Sequence, residues 1–298
     1  MPLKDTLAAL VVIVAWGLNF VVIKLGLSEV PPLLLGALRF FFVAFPAVFF
    51  IKRPQLPWRI IVLYGLTISL GQFVFLFIAM SVGMPAGLAS LVLQAQAFFT
   101  VLIAAVFMSE RLRWNNLLGM VVAAGGLVLI EQGAEAGTMT LIGFVLTLVA
   151  AFCWASGNIV VKGAGKIDML PLVIWGALIP PLPFLALSWR YEGPELMWSS
   201  LANISYVGVL SVVYLAGVAT IVGYSLWGRL LARYPAGKVA PLSLLVPVLG
   251  LLSSALLLNE HLAVVQWYGG LVVMAGLAVN LFGPRLLGRF AAVRRPLG

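Results

Sequence analysis

Apolar runs about twenty residues long follow one another from end to end of the chain. They are separated by short breaks rich in Pro, Gly, Lys and Arg. Ten runs stand out, at residues 6–26, 31–51, 58–80, 85–108, 114–131, 138–161, 170–189, 203–228, 235–258 and 264–283. Each is long enough, at ~1.5 Å rise per residue, to cross a hydrocarbon core about 30 Å thick. Backbone groups in that core must be satisfied within the protein, which restricts the spanning elements to helices or a closed barrel. The alternating pattern of a membrane barrel strand is absent. The pattern therefore predicts an all-α polytopic membrane protein with ten transmembrane helices. The first run starts after Lys4, as a secretion signal would. It is too long for one, lacks a small-residue cleavage site, and is closed by Lys24, so it reads as an uncleaved first helix.

Composition strengthens this picture. Apolar residues make up 63% of the chain and charged residues 9%, against about 45–50% and about 25% in globular domains. Ten spans leave connections of roughly nine residues each, too short for a soluble catalytic or nucleotide-binding domain. The net charge of +9 would suggest nucleic acid in a soluble protein. Here its distribution gives another answer. With the N-terminus in the cytoplasm, Lys4, Lys52, Arg53, Arg59, Arg111, Arg113, Lys162, Lys166, Arg229, Arg233, Lys238, Arg285, Arg289, Arg294 and Arg295 fall inside. Only Lys24 and Arg190 fall outside, and Arg39 lies within a span. This positive-inside bias predicts both termini in the cytoplasm and no nucleic-acid partner; the bilayer is the partner.

The two halves carry the same punctuation. Tyr64, Pro85, Ala86, Gly87, Glu110, Leu112, Gly119 and Gly126 recur 150 residues later as Tyr214, Pro235, Ala236, Gly237, Glu260, Leu262, Gly269 and Gly276. Trp16 and Lys24 match Trp154 and Lys162 at a displacement of 138. The chain divides into a first five-helix repeat over 1–133, a second over 138–285 and a basic cytoplasmic tail over 286–298. Five is odd, so the second repeat enters the membrane from the opposite side. Inverted repeats of this kind build secondary transporters, with the substrate site at their interface near the midplane.

Candidate chemistry lies within the spans. Arg39 stands about 12 Å along its helix from Pro31, as a clamp for a carboxylate or a structural charge. Intramembrane charge is costly and marks function. The acidic residues Asp5, Glu29, Glu110, Glu131, Glu135, Asp168, Glu192, Glu195 and Glu260 all fall at helix ends or in connections. His261 does too. No buried carboxylate is thus available for proton or sodium coupling, which favours facilitated over proton-driven transport. Glu110 and Glu260 read as charge partners of the helix that follows each. One cysteine, Cys153, one interfacial histidine and no facing acid pair leave no metal site, no cofactor and no nucleophile–base set, hence no enzyme.

Uncharged polar and aromatic residues suggest the cargo. Trp16 with Asn19, and Trp154 with Asn158, each share a helix face. Tyr64 and Gln72 lie on helix 3, and Tyr214, Tyr224 and Ser225 on helix 8. Gln94 and Gln96 stand about 200° apart around helix 4. Gln94, in line with Ser90, is assigned to the cavity and Gln96 to interhelical bonding. On helix 9, Ser243, Pro247, Gly250 and Ser254 form one face, and Pro241 and Pro247 free backbone carbonyls and serve as hinges. Amides, hydroxyls, freed carbonyls and aromatic walls suit a small net-neutral polar solute such as a zwitterionic amino acid. Helices 5 and 10 are glycine-rich and read as peripheral packing, with the protein a monomer or a homodimer.

The strings WGLNFVVIK at 16–24, PPLLLGALRF at 31–40, YGLTIS at 64–69, GMPAGLASLVLQAQAFFT at 83–100, ATIVGY at 219–224 and APLSLLVPVLG at 240–250 resemble EamA-type members of the drug/metabolite transporter superfamily along the whole chain. They look most similar to the bacterial cysteine and O-acetylserine exporter branch, with aromatic amino acid exporters as more distant relatives. The resemblance implies a bacterial inner-membrane efflux protein with a central cavity lined by helices 1, 3, 4, 6, 8 and 9. It implies export of small amino acids and related metabolites by alternating access. Efflux of another small-molecule class, such as a drug, a sugar or a lipid-like metabolite, is the alternative. The absence of a buried carboxylate argues against cationic drugs.

Overall fold

A computed structural model describes residues 1–132, 138–165 and 167–293. Glu135, Lys166 and the end of the basic tail, 294–298, lie outside the described residues. Among the described residues the elements are helical. Nine helices are long and apolar enough to cross a membrane: α1 (Leu3–Leu27), α2 (Pro32–Phe49), α3 (Trp58–Ser81), α4 (Ala86–Phe107), α5 (Trp114–Glu131), α6 (Leu141–Gly163), α7 (Met169–Tyr191), α8 (Tyr206–Arg233) and α10 (Val264–Gly283). The ninth apolar run is shorter than its sequence pattern suggests. Its helix α9 covers Pro241–Leu257, preceded by a separate turn at Ala236–Val239. Pro241 has no N–H to offer the preceding turn, and residues 240–244 tighten into a 3₁₀ segment.

Helix starts follow local chemistry. Pro32 opens α2, where a missing N–H costs nothing. The Thr140 hydroxyl accepts from Gly143 N–H at 3.2 Å before α6, and the Ser205 hydroxyl accepts from Val207 N–H at 3.1 Å before α8. A short surface helix, Pro194–Ala202, links α7 to α8.

Contacts between helix ends define two faces. On the first, Arg233 at the end of α8 and Tyr234 just after it hold Asp5 of α1, Asn115 of α5 donates to Asn280 O of α10 at 3.0 Å, and Lys162 of α6 meets Glu110. On the second, Lys24 of α1 donates to Met80 O of α3 at 3.2 Å. There too Thr140 donates to Val82 O at 2.8 Å, and Glu192 accepts from Leu33 and Leu34 N–H at the start of α2. We call these the near and far faces.

The glycine-rich helices α5 and α10 pack on each other, as their composition suggests. A Cβ at Gly126 would stand 2.7 Å from Gly269 O, and one at Gly119 2.7 Å from Gly276 O. Only hydrogen at these positions lets the backbones approach so closely.

A cavity between the helices as the candidate functional site

Two helices widen into π geometry partway along their length. Gly65–Gly71 in α3 and Tyr214–Val222 in α8 are π-helical. Such turns are rare and recur at functional sites because they leave carbonyls free for other partners. The freed groups are used here. Thr220 donates to Leu215 O, five residues back, at 2.8 Å, and Ala219 O accepts the Trp16 indole N–H at 2.9 Å. Gly223 makes room for that indole, since a Cβ there would lie 2.5 Å from Trp16 Nε1.

A cavity of about 370 Å³ opens beside these turns. Its wall includes Trp16 and Asn19 of α1, Arg39 of α2, Gln72 and Phe73 of α3, Gln94 and Gln96 of α4, Trp154 and Asn158 of α6, Met169 of α7, Tyr224 and Trp227 of α8, and Ser243 of α9. It extends to Val161, Gly228 and Leu231 at the near-face ends of α6 and α8. The aromatic corner is tight, with Trp16 5.4 Å from both Tyr224 and Trp227, ring centre to ring centre.

Arg39 is 3% exposed. Its Nη2 donates to Thr220 Oγ1 at 3.0 Å, and its guanidinium lies 4.1 Å from the centre of the Phe73 ring. Nε and Nη1 have no partner, and neither do Asn19 Oδ1 and Gln72 Oε1. A buried donor or acceptor left unpaired costs about 1–3 kcal/mol, more when charged. A purely structural arginine would have its donors satisfied by protein. This one is buried with two donors unpaired, and like Asn19 and Gln72, each with an unpaired buried oxygen, it borders the cavity.

The site gathers most, not all, of the residues singled out by sequence. Trp16, Asn19, Gln72, Gln94, Trp154, Asn158, Tyr224, Ser243 and Arg39 share one wall. Tyr64 does not; it is 2% exposed, and its ring packs where Gly176 of α7 has no side chain. Tyr214 donates its hydroxyl to Ala15 O at 3.0 Å and ties α8 to α1 away from the cavity. Pro247 faces α4, its carbonyl 3.5 Å from Ser90 Oγ, and Pro241 lies in the 3₁₀ segment that opens α9.

Three expectations need correction. Gln96 joins Gln94 on the cavity wall, because Leu93–Ala95 is a 3₁₀ turn that turns about 120° per residue and brings the two side chains closer together than an α-helix would. Its carbonyl also accepts from Asn158 Nδ2 at 2.8 Å, with Thr100 Oγ1 accepting at 3.2 Å, so the bonding role holds as well. Glu260 does not serve the helix that follows it; its two oxygens accept from Ala86 and Gly87 N–H, at 2.7 and 3.0 Å, at the start of α4. Glu110 pairs with Lys162 through both oxygens at 2.7 Å. Finally, α2 and α7 contribute to the wall beside the six helices implied by the resemblance. Thr220, Trp227 and Met169 were missed. The string ATIVGY at 219–224 carries Thr220 and was the signal available for it.

This is a polytopic helical membrane protein with a polar cavity walled by aromatic residues, a transporter's architecture. The chain belongs to the EamA-like transporter family, which matches residues 4–132 and 141–282. It is 53% identical over 290 residues to a probable amino-acid metabolite efflux pump of Escherichia coli strain K12, covering 96% of this chain and 97% of that protein. A protein of the same description from Salmonella typhimurium strain LT2 is 54% identical, with the same coverage. A probable terminal-alkyne amino-acid exporter of Streptantibioticus cattleyicolor is 28% identical, covering 97% of each chain. A crystal structure of a protein 21% identical superposes with a TM-score of 0.64, covering 95% of this chain and 98% of that one; the likeness is one of fold.

Proposed function

We propose that the protein exports small amino acids and related metabolites across the bacterial inner membrane by alternating access. The observation that carries this reading is a set of buried, unpartnered polar atoms on residues that border the cavity. Arg39 Nε and Nη1 can donate two bonds to a carboxylate. Asn19 Oδ1 and Gln72 Oε1 can accept from an ammonium. A zwitterion satisfies both sets at once. The aromatic corner of Trp16, Tyr224 and Trp227 is left to hold a side chain, and the names of the relatives point to the same class of cargo.

Alternating access rests on reading the chain as two inverted five-helix repeats, with α9 as the tenth crossing. Four structural features recur at the 150-residue displacement of the sequence motifs and support that reading. The π-helical turns overlap, Gly65–Gly71 against Tyr214–Val222. The 3₁₀ segments Leu93–Ala95 and Ala240–Leu244 overlap too. Ser109 and Asn259 both take positive φ, 53° and 52°. Each precedes a glutamate whose N–H points back to a helix carbonyl, Ala104 O or Ser254 O, at 3.4 Å. By the distribution of Lys and Arg, the near face is cytoplasmic and the cavity faces inward. Pro241 and Pro247 are hinges in α9, Pro241 within the 3₁₀ segment Ala240–Leu244 and Pro247 in the α-helical stretch that follows it.

Energy comes from the substrate gradient. The cavity wall carries Arg39 and no carboxylate or histidine among the described residues. The test is counterflow in proteoliposomes preloaded with small amino acids. Exchange of cysteine, O-acetylserine and similar solutes supports the reading; inertness to every amino acid, with exchange of a sugar or drug, removes it.

A further inference from the structure

At the far face the carboxylate of Glu260 closes on the first turn of α4, taking Ala86 N–H at 2.7 Å and Gly87 N–H at 3.0 Å. On the same face Lys24 donates to Met80 O, near the end of α3, at 3.2 Å. The partners lie 173 residues or more apart for Glu260 and 56 apart for Lys24, so both bonds fasten separate helices together at their ends. At the near face the matching residues are arranged differently. Glu110 corresponds to Glu260, and Lys162 to Lys24. There they hold each other, carboxylate to ammonium at 2.7 Å, with the two side chains nearly half exposed. The residues that would complete a copy of the far-face arrangement are also present in the sequence. Ala236 and Gly237 match Ala86 and Gly87, a helical turn begins at Ala236, and Leu230 matches Met80.

We propose that Glu110 and Glu260 are alternating clasps of the transport cycle. Each carboxylate exchanges between the first amides of a helix in the other half and the lysine of its own face, Lys162 or Lys24. In the state described here the far clasp is shut on α4 and the near one is parked on its lysine, while the cavity reaches the near face. In the opposite state Glu110 shuts on Ala236 and Gly237, Lys162 takes Leu230 O, and Glu260 is parked on Lys24. The residue before each glutamate, Ser109 or Asn259, holds positive φ, a conformation non-glycine residues adopt at a cost and keep where geometry demands it. It aims each glutamate away from its own helix. A carboxylate released into the apolar rim without a partner would raise the energy of the crossing state, and the lysine gives it one. The exposed ion pair is weak, whereas two backbone amides on one carboxylate make charge-assisted bonds, so neutralising a glutamate costs its clasped state more than its parked state. The inference rests on the inverted-repeat, alternating-access reading above.

The two faces can be followed by spin-label distances in a Cys153→Ser background, between positions 82 and 261 on the far face and between 111 and 238 on the near face. Glu260→Gln lengthens the far distance and shortens the near one, and Glu110→Gln does the reverse. Each shifts the ratio of the two populations by about tenfold, as the loss of one charged hydrogen bond would. Lys162→Met, at a half-exposed position where folding is not at stake, removes the weak exposed pair of this state and the Lys162–Leu230 O bond of the opposite one, so it moves both distances in the same sense as Glu110→Gln. Wild-type distances that change in opposite senses on adding substrate, but stay put in all three variants, overturn the clasp alone. Distances that never move in opposite senses overturn the alternating-access reading and the clasp with it.

Discussion

Arg39 on α2 and Thr220 on α8 meet inside the protein, Nη2 to Oγ1 at 3.0 Å. The contact exists because α8 is π-helical there, and Thr220 satisfies its own hydrogen on Leu215 O. Its oxygen is therefore left to accept from the guanidinium. Arg39 is thus anchored at one nitrogen and unpartnered at two others, an arginine positioned rather than consumed by the fold.

Replacing Arg39 by Gln should weaken recognition of the carboxylate. The half-saturation concentration for an amino acid is expected to rise by about tenfold or more, the worth of a hydrogen bond to a charged group. Lys at 39 keeps the charge but loses the planar fork and its stacking on Phe73, and should rescue poorly. Transport by R39K equal to wild type would show that only net charge matters.

Thr220→Val tests the anchor. It keeps the shape and removes the acceptor, leaving Arg39 Nη2 unpaired as well. Transport should fall, with a loss of stability of about 1–3 kcal/mol. Unaltered kinetics would mean that Phe73 and packing alone hold the guanidinium.

Asn19 and Asn158 separate two roles for an amide on the same wall. Asn158 donates to Gln96 and Thr100, whereas Asn19 Oδ1 has no partner. Asn19→Ala should raise the half-saturation concentration for substrate. Asn158→Ala should loosen α6 from α4 and lower thermal stability by about 1 kcal/mol. If the double replacement leaves rate, preference and stability untouched, both are packing residues.

Gly126→Leu would push α10 away from α5, since a Cβ alone at 126 already meets Gly269 O at 2.7 Å. Overpacking of this kind costs about 1–3 kcal/mol or more. The purified protein should melt earlier, while an intact cavity keeps substrate affinity in the fraction that stays folded. An unchanged melting temperature would count against the α5–α10 contact.

Much of this was legible in the sequence, and the omissions share a cause. Apolar run length predicts spans because the bilayer sets it, and the 150-residue displacement of Pro85-Ala86-Gly87 onto Pro235-Ala236-Gly237 is a matter of letters. The Trp16–Asn19 and Trp154–Asn158 faces follow from helix geometry and do line the cavity. What periodicity could not supply is local departure from it. Gln96 was turned away from the cavity by counting 100° per residue across a turn that is 3₁₀. Tyr64 and Tyr214 were placed with the site by symmetry and residue type, yet their partners are the Gly176 gap and Ala15 O. Glu260 was assigned to the nearest helix in sequence, while its amides belong to a helix 173 residues away. Long-range pairing of this kind leaves no mark on spacing.

The facilitator reading predicts that an imposed pH gradient neither drives uptake into proteoliposomes nor changes the direction of exchange. Strict dependence on that gradient would require a titrating group outside the cavity wall described here.

The central claim is that one wall binds a carboxylate and an ammonium together. Counterflow by the purified, reconstituted protein with cysteine, cysteamine and 3-mercaptopropionate under reducing conditions measures this directly. The three differ only in which charged end is present. The account predicts robust exchange of cysteine and exchange at least about tenfold weaker for each one-ended analogue, as loss of one charged hydrogen bond implies. Cysteamine or 3-mercaptopropionate exchanging as well as cysteine would contradict it.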